Sequence, residues 1–310
     1  MKRTLPQVKH TYQNHHLDST RWERFSPRDD DIIIATSYKS GTTWMQMIVM
    51  HLIFGAQASP EKKSVSPWLD MRVRPVDDVM KILEAQQHRR FVKTHLPLDG
   101  LPFYPEAKYI VVCRDARDVF MSLWNHYNNL APEFYQLVNE TLPNLVGNPL
   151  PPCPQSIGEF WRGWITQGWF AWEHEGYPFW SNLGHVQSWW NFRSLSNILF
   201  VHFNDLLTDL AGGIKRIANF LDIVTSDDMV RSIAHATTFS TMQKNSGQIA
   251  VFADRYFEGG SKAFINKGTN GRWKHVLSPA DLSLYQAAAT HILSPECAAW
   301  LENGGESKPL

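Results

Sequence analysis

The sequence predicts an α/β fold: a central parallel sheet flanked by helices. Two observations point there. Ile32, Ile33 and Ile34 are consecutive β-branched residues, the pattern of a strand buried on both faces. The order apolar strand, polar turn, helix then recurs at Lys108–Cys113, and a further apolar run at Asn197–Phe203 also leads into helical sequence. Strands that alternate with helices favour parallel pairing. In such sheets ligands gather at the carboxyl ends of the strands.

Residues 1–30 read as a polar surface arm, with His10, His15, His16 and a charge cluster from Arg28 to Asp31. The histidines have no carboxylate or cysteine partner at ligand spacing, so a solvated arm is expected rather than a metal site. The first strand follows from Asp31, and a helix resumes the apolar pattern at Trp44, Met45, Ile48, Val49, Leu52 and Ile53. Between them, Ser37–Thr43 concentrates hydroxyls, Lys39 and Gly41. The first N–H groups of a helix lack partners and its dipole favours negative charge, so this turn reads as an anion site. Ser40, Thr42 and Thr43 add hydroxyl donors and Lys39 a full charge. The plainer alternative is a strand–helix turn with a capping Ser or Thr and a surface lysine.

A loop spans Gly55–Pro67 and includes Pro60, Glu61, Lys62 and Lys63; a helical pattern covers Val76–Gln86. A short strand at Phe91 and Val92 runs into a turn with Lys93, Thr94 and His95, and Pro97 ends regular structure. The strand Lys108–Cys113 runs into Arg114-Asp-Ala-Arg-Asp118 and a helix through Val119, Phe120, Leu123 and Trp124. Lys39, His95 and Arg114 each lie just after a strand, so they are placed to converge on one crevice.

Residues 131–182 differ in character. Pro143, Pro149, Pro151, Pro152 and Pro154 mark a loop, and Trp161, Trp164, Trp169, Trp172 and Trp180 follow. The Trp-rich stretch from Phe160 to Trp190 is either the pocket for a hydrophobic substrate or core packing between loop and sheet. A helix is expected at His185–Arg193, then a strand at Asn197–Phe203 and helical sequence to Leu221. Helices fit Ser226–Ala236 and Thr238–Lys244; Gly247–Gly271 is loop-rich; Leu282–Leu293 is a final helix announced by Ser278-Pro-Ala-Asp281. No internal repeat or linker divides the chain, which gives an arm (1–30), one domain (31–293) and a tail (294–310).

Composition narrows the function classes. The chain has 310 residues, with 30 basic and 30 acidic side chains and zero formal charge. That gives no support for a nucleic-acid partner. Cys113, Cys153 and Cys297 form neither a zinc spacing nor a disulfide framework, which favours a reducing compartment. The N-terminal residues lack the apolar core of a signal peptide. The longest apolar run, Met45–Phe54, is broken by Gln46 and His51 and is too short to span a bilayer. A soluble, cytoplasmic protein with no integral membrane segment is expected.

Four blocks, in order between residues 31 and 275, resemble the PAPS-dependent sulfotransferases of the cytosolic type (PAPS is 3′-phosphoadenosine-5′-phosphosulfate). Lys39-Ser-Gly-Thr-Thr-Trp44 is similar to that family's 5′-phosphosulfate loop. Lys93-Thr-His-Leu-Pro97 resembles its catalytic histidine segment. Val112-Cys-Arg114 with Asp118 and Ser122 resembles its 3′-phosphate segment. Lys267-Gly-Thr-Asn-Gly-Arg-Trp-Lys274 resembles its C-terminal cofactor loop. The chain departs from the family pattern at Tyr38, where proline is usual, at Asn266, where arginine is usual, and at Arg272, where aspartate is common. Phe203 stands where a tyrosine usually contacts adenine. The family's short dimer motif is not recognisable in Lys274–Ser283, and the oligomeric state stays open.

The resemblance implies a P-loop-like three-layer fold and a single domain that moves a sulfuryl group from PAPS, as co-substrate, to a hydroxyl. The acceptor implied is a small alcohol or phenol, lipophilic if the Trp-rich stretch forms its pocket. His95 would be the base, Lys39 the stabiliser of the leaving group, and Lys93 a partner of the sulfuryl oxygens. Ser40, Gly41, Thr42 and Thr43 would hold the 5′-phosphosulfate. Arg114 and Ser122 would clamp the 3′-phosphate, with Asn266, Lys267 and Gly268 closing that side. Trp44, Phe203, Thr237 and Phe239 would flank adenine. No metal is implied. Read singly, the same residues have plainer roles: a structural histidine beside proline, a strand-end surface lysine at Lys93, a surface ion pair at Arg114 and a core tryptophan at Trp44. Two rivals are a P-loop nucleotide kinase, which needs the order Gly-Lys-Ser/Thr and a Mg²⁺ aspartate, and a non-catalytic nucleotide-binding module.

Overall fold

A computed structural model describes residues 5–59, 65–141 and 145–305. Pro60–Lys63, Pro143 and the outermost residues of the arm and tail lie outside the described residues. Four strands, β1 (Ile32–Thr36), β2 (Phe91–Thr94), β3 (Lys108–Cys113) and β4 (Ile198–His202), form one parallel sheet in the order β2-β1-β3-β4. Ile33 pairs with Val92 on one side and with Tyr109 on the other, and Val111 pairs with Phe200.

The helices in chain order are α1 (Thr42–Phe54), α2 (Val76–Glu84), α3 (Ala116–Asn128), α4 (Pro132–Gln136), α5 (Ile157–Thr166), α6 (Leu183–Trp190), α7 (Phe203–Thr208) and α8 (Leu210–Phe220). Then come α9 (Asp227–Ala236), α10 (Phe239–Lys244), α11 (Ser246–Ile249), α12 (Ala253–Tyr256), α13 (Gly260–Phe264), α14 (Pro279–Ile292) and α15 (Pro295–Asn303).

Side chains alternate across the sheet, so each strand feeds two cores. Ile32, Ile34, Phe91, Ile110 and Val112 pack with α1, α8 and α9. Ile33, Val92, Tyr109 and Val111 pack with α3, α5, α6 and α14. The three-layer expectation holds because the strands are apolar on both faces. At the opposite end from the strand tips, Asp31 and Arg90 form a buried ion pair, with Arg90 Nε 2.7 Å from Asp31 Oδ1.

Some boundaries move for local reasons. β2 runs on through Lys93 and Thr94 because Lys93 N–H donates to the Pro67 carbonyl (2.9 Å), so residues 67–69 lie along the sheet edge. The capping box at Ser278 and Asp281 is present and starts α14. α5 was hidden by its aromatics; Ser156 caps it by accepting from Glu159 N–H. The loop-rich 247–271 region contains the short α11–α13.

Two expectations are corrected and one open alternative is narrowed. The described part of the arm is not solvated: Tyr12, Leu17, Trp22 and Phe25 enter the core, and His15 and His16 are buried. Several of its polar groups are paired internally: Asn14 Oδ1 accepts from the N–H groups of His16 and Leu17, and Trp22 Nε1 donates to Asp70. The described part of the tail carries α15, whose Trp300 and Leu301 are buried against Trp190 and Phe200. The Trp-rich stretch is chiefly core: Trp161 and Trp164 are fully buried, while Trp172 stacks on His10 near the surface. Among the described residues no helix is long and apolar enough to cross a membrane.

Candidate active site

The carboxyl ends of β1, β2 and β3 open onto one cavity of about 770 Å³. The loop after β1 turns through two left-handed residues, Lys39 (φ 58°) and Gly41 (φ 112°). Gly41 is the N-cap of α1, so no side chain caps this helix. The first N–H groups of α1 are therefore left for a ligand. Thr42, Thr43 and Trp44 line the cavity, and so do Lys39 and Gly41. Ser40 does not: its hydroxyl turns back to the Tyr38 carbonyl and Ser37 Oγ, each at 3.3 Å. Thr42 Oγ1 also turns inward, 2.7 Å from Thr36 Oγ1.

Lys39 Nζ lies 3.2 Å from His126 Nδ1 and 4.8 Å from the Phe264 ring centroid. Desolvation, and secondly Arg114, push its pKa down to about 8. A lysine donates only, so His126 Nδ1 accepts. Tyr38 is a buried anchor for the loop. Its hydroxyl accepts from Trp164 Nε1 at 2.7 Å, and its ring packs on Phe179 and Trp180.

His95 sits immediately after β2. Its Nδ1 is 2.7 Å from the Thr36 carbonyl and 3.0 Å from Thr36 Oγ1, and its N–H donates to Asp70 Oδ2. A carbonyl accepts only, so Nδ1 carries the proton and Nε2 is bare. Burial, then the nearby Lys93 charge, hold the imidazole well below the usual histidine range and therefore neutral at pH 7. Lys93 Nζ stacks 4.1 Å from the Trp68 ring centroid. Asp70 fixes this corner by accepting from Trp22, Trp68 and His95.

Arg114, just after β3, stacks 4.4 Å over Phe203. It donates to Asn270 Oδ1 (2.8 Å) and to the Thr269 carbonyl (2.9 Å), which ties the 266–271 loop to the strand tip. Ser122, on α3, lines the same cavity, as do Asn266, Lys267 and Gly268. Gly268 is left-handed (φ 63°), and a Cβ there would meet Phe239 at 2.5 Å. Trp44 and Phe203 meet edge to face at 5.2 Å, and with Thr237 and Phe239 they wall the cavity's far side. So every residue expected at the site lines this cavity except Ser40. Among the described residues no cluster of His, Cys, Asp or Glu is placed to hold a metal.

Residues 29–293 match the family model described as "Sulfotransferase domain". The chain belongs to the sulfotransferase family. A glycolipid sulfotransferase of Mycobacterium bovis is 32% identical, with 94% of each chain covered. Human sulfotransferase 1E1 is 29% identical over 83% of this chain and 82% of its own. The solved structure of mouse sulfotransferase SULT7A1, complexed with PAP, superposes with a TM-score of 0.67 at 20% identity, covering 88% of this chain and 87% of that one. Membership in a sulfotransferase family weighs against the nucleotide-kinase reading.

This sulfotransferase has site residues that sequence reasoning missed. His126 was legible, since it lies four residues after Ser122 on the same helix face. Asp70 and Trp68 carried no motif. Of the five tryptophans proposed for the acceptor pocket, only Trp180 lines the cavity. The stretch also contributes Phe179, and the rest of the apolar wall includes Trp68, Met71, Val73, Phe134, Phe252 and Phe257.

Proposed function

We propose that this chain transfers the sulfuryl group of PAPS to an alcohol or phenol hydroxyl of a small lipophilic molecule. The observation that carries it is His95: a neutral imidazole, tautomer-locked by the Thr36 carbonyl, on the same cavity as Lys39 and Arg114. The donor set suits a doubly anionic nucleotide. The uncapped start of α1 and Lys39 would hold the 5′-phosphosulfate. Arg114, Ser122, Lys267 and the close-packed backbone at Gly268 would hold the 3′-phosphate. Arg272 lines the cavity, and its charge acts on Arg114. It would supply a cation on the Arg114 side of the cavity, where Asn266 adds no charge. Trp44, Phe203, Thr237 and Phe239 would flank adenine.

PAPS supplies an activated S–O bond. The acceptor oxygen attacks sulfur as its proton passes to His95 Nε2, a role worth about 10²–10⁴-fold. The bridging S–O bond breaks and its electron pair stays on the phosphate oxygen. Lys39 meets that charge; one preorganised donor is worth about 10²–10³-fold. Lys93 steadies the sulfuryl oxygens. The products are a sulfate ester and 3′-phosphoadenosine-5′-phosphate (PAP). The apolar wall, and a 32%-identical relative named for glycolipids, support a lipophilic acceptor. Three free thiols support a cytoplasmic setting.

The test is incubation with radiolabelled PAPS and a panel of hydroxylated amphiphiles, with ATP and Mg²⁺ in parallel. Label should pass from PAPS to an acceptor, with no phosphoryl transfer from ATP. Phosphoryl transfer, or PAP binding no tighter than AMP, would overturn the reading.

A further inference from the structure

Of His10, His15 and His16, only His16 lines the cavity. Its protonation is dictated by a chain of contacts that ends on a carbonyl. His15 Nε2 lies 2.8 Å from the Pro178 carbonyl oxygen. A carbonyl accepts only, so this nitrogen carries the proton. Burial holds His15 neutral, its pKa pushed down to about 3, and its Nδ1 is therefore bare. That bare nitrogen faces His16 Nδ1 at 2.5 Å. Two lone pairs would repel there, so His16 carries its proton on Nδ1 and donates it. Burial, then His15 and Arg72, keep His16 neutral as well. Its Nε2 must then be a bare acceptor.

The ring has little freedom to turn away. Asn14 Oδ1 accepts from His16 N–H at 2.9 Å, and Arg72 N–H donates to the His16 carbonyl at 2.8 Å. Phe134 and Phe179 pack on the ring at 5.3 and 5.6 Å. His16 Nε2 meets no hydrogen-bond partner among the described residues. The rings of His16 and His95 both pack on Trp180, with centroids 6.1 and 5.7 Å away, so the two imidazoles are at most about 12 Å apart. Both rings line one cavity, so an acceptor whose reacting hydroxyl meets His95 can present a second hydroxyl of the same head group to His16. Only a donor satisfies a bare nitrogen.

We propose that His16 Nε2 is a hydroxyl-binding subsite, so that the chain selects acceptors with a second hydroxyl near the sulfated one, such as a sugar head group. This rests on the sulfuryl-transfer reading above. Losing one such buried contact should cost the polyhydroxylated acceptor about 5- to 150-fold.

The test compares wild type with His16→Phe, using PAPS with octyl β-glucoside or 1-octanol. Wild type should favour the glucoside in kcat/KM. The variant should lose about 5- to 150-fold on the glucoside, mainly through KM, and stay within about twofold on octanol. Equal loss on both acceptors, no loss on the glucoside, or a wild-type preference for octanol would each overturn the subsite. Turnover of neither acceptor would overturn the parent reading and the subsite with it. A second measurement needs no variant: ¹⁵N NMR of the histidine-labelled full chain should give His16 as the Nδ1–H tautomer, with Nε2 shifting as octyl β-glucoside is added. His16 as the Nε2–H tautomer would overturn the subsite whatever the variant does.

Discussion

Raising the pH through about 8 should weaken productive binding of PAPS by discharging Lys39. The sign follows from burial. Desolvation, then repulsion from Arg114, lower the lysine pKa from 10.5 to about 8, so the charged form is lost as pH rises and well before a solvated lysine would lose it. With kcat/KM for PAPS following the protonated fraction, the rate constant should fall about tenfold from its plateau by pH 9 and about a hundredfold by pH 10. The limb in kcat should lie higher, because a bound anion favours the charged lysine. On the acid side His95 must be neutral to act, and its pKa is held well below 6.5. Activity should therefore persist below pH 6.5 and fall only at the depressed value. The assay is initial rates with radiolabelled PAPS from about pH 6 to about pH 10 at constant ionic strength, with circular dichroism at each pH. Lys39→Arg is the control, since arginine stays charged throughout; it should be slower but should lose the limb near 8. A flat profile to pH 10, or an unchanged limb in Lys39→Arg, would refute the reasoning.

His95→Ala should lower turnover by about 10²-fold or more, with PAP affinity by calorimetry nearly unchanged; near-normal turnover would remove His95 as the base. Arg114→Ala should weaken PAP about 10- to 150-fold and AMP much less, read by calorimetry on both nucleotides; equal losses would mean that the arginine acts only by tethering Thr269 and Asn270. Arg90→Met leaves the Asp31 carboxylate buried beside an apolar side chain and should cost about 3–5 kcal/mol of stability, seen as a lower urea midpoint; an unchanged midpoint would contradict the buried-pair assignment.

The sheet and the polar turns at its strand tips were legible because their signals are local. A parallel strand buried on both faces reads as a continuous apolar run, and the turns after β1, β2 and β3 carry charged and hydroxylated residues that a core would not tolerate unpaired. The arm was misread because its burial has no sustained period: Tyr12, Leu17, Trp22 and Phe25 keep neither a helical nor a strand repeat, and the Asn14 amide and the His15 ring reach the Phe179 and Pro178 carbonyls, contacts remote in sequence. Aromatic density likewise says how much apolar surface a stretch must hide and nothing about where. Trp161 and Trp164 went to the core, and the cavity wall was drawn from residues 68–73, 134 and 252–257. Ser40 shows the converse limit. Its hydroxyl sits in the right motif, but its contacts are the Tyr38 carbonyl and Ser37 Oγ, which the motif does not reveal.

Tyr38, the departure from the family's usual proline, makes physical sense only together with the Trp-rich stretch. Proline stiffens a loop by fixing its own backbone. Tyr38 instead holds the loop from outside, with Trp164 donating to its hydroxyl and Phe179 and Trp180 packing on its ring. Trp180 also touches His95 at 5.7 Å and His16 at 6.1 Å. One indole therefore contacts Tyr38, which anchors the β1–α1 loop, the proposed base and the proposed hydroxyl subsite. The loop and the proposed base need fixed spacing from one another, since sulfuryl transfer depends on alignment of donor, acceptor and base. The stretch that the sequence left open between pocket and core packing is better understood as backing: Trp161 and Trp164 fill the core, and Phe179 and Trp180 face the cavity.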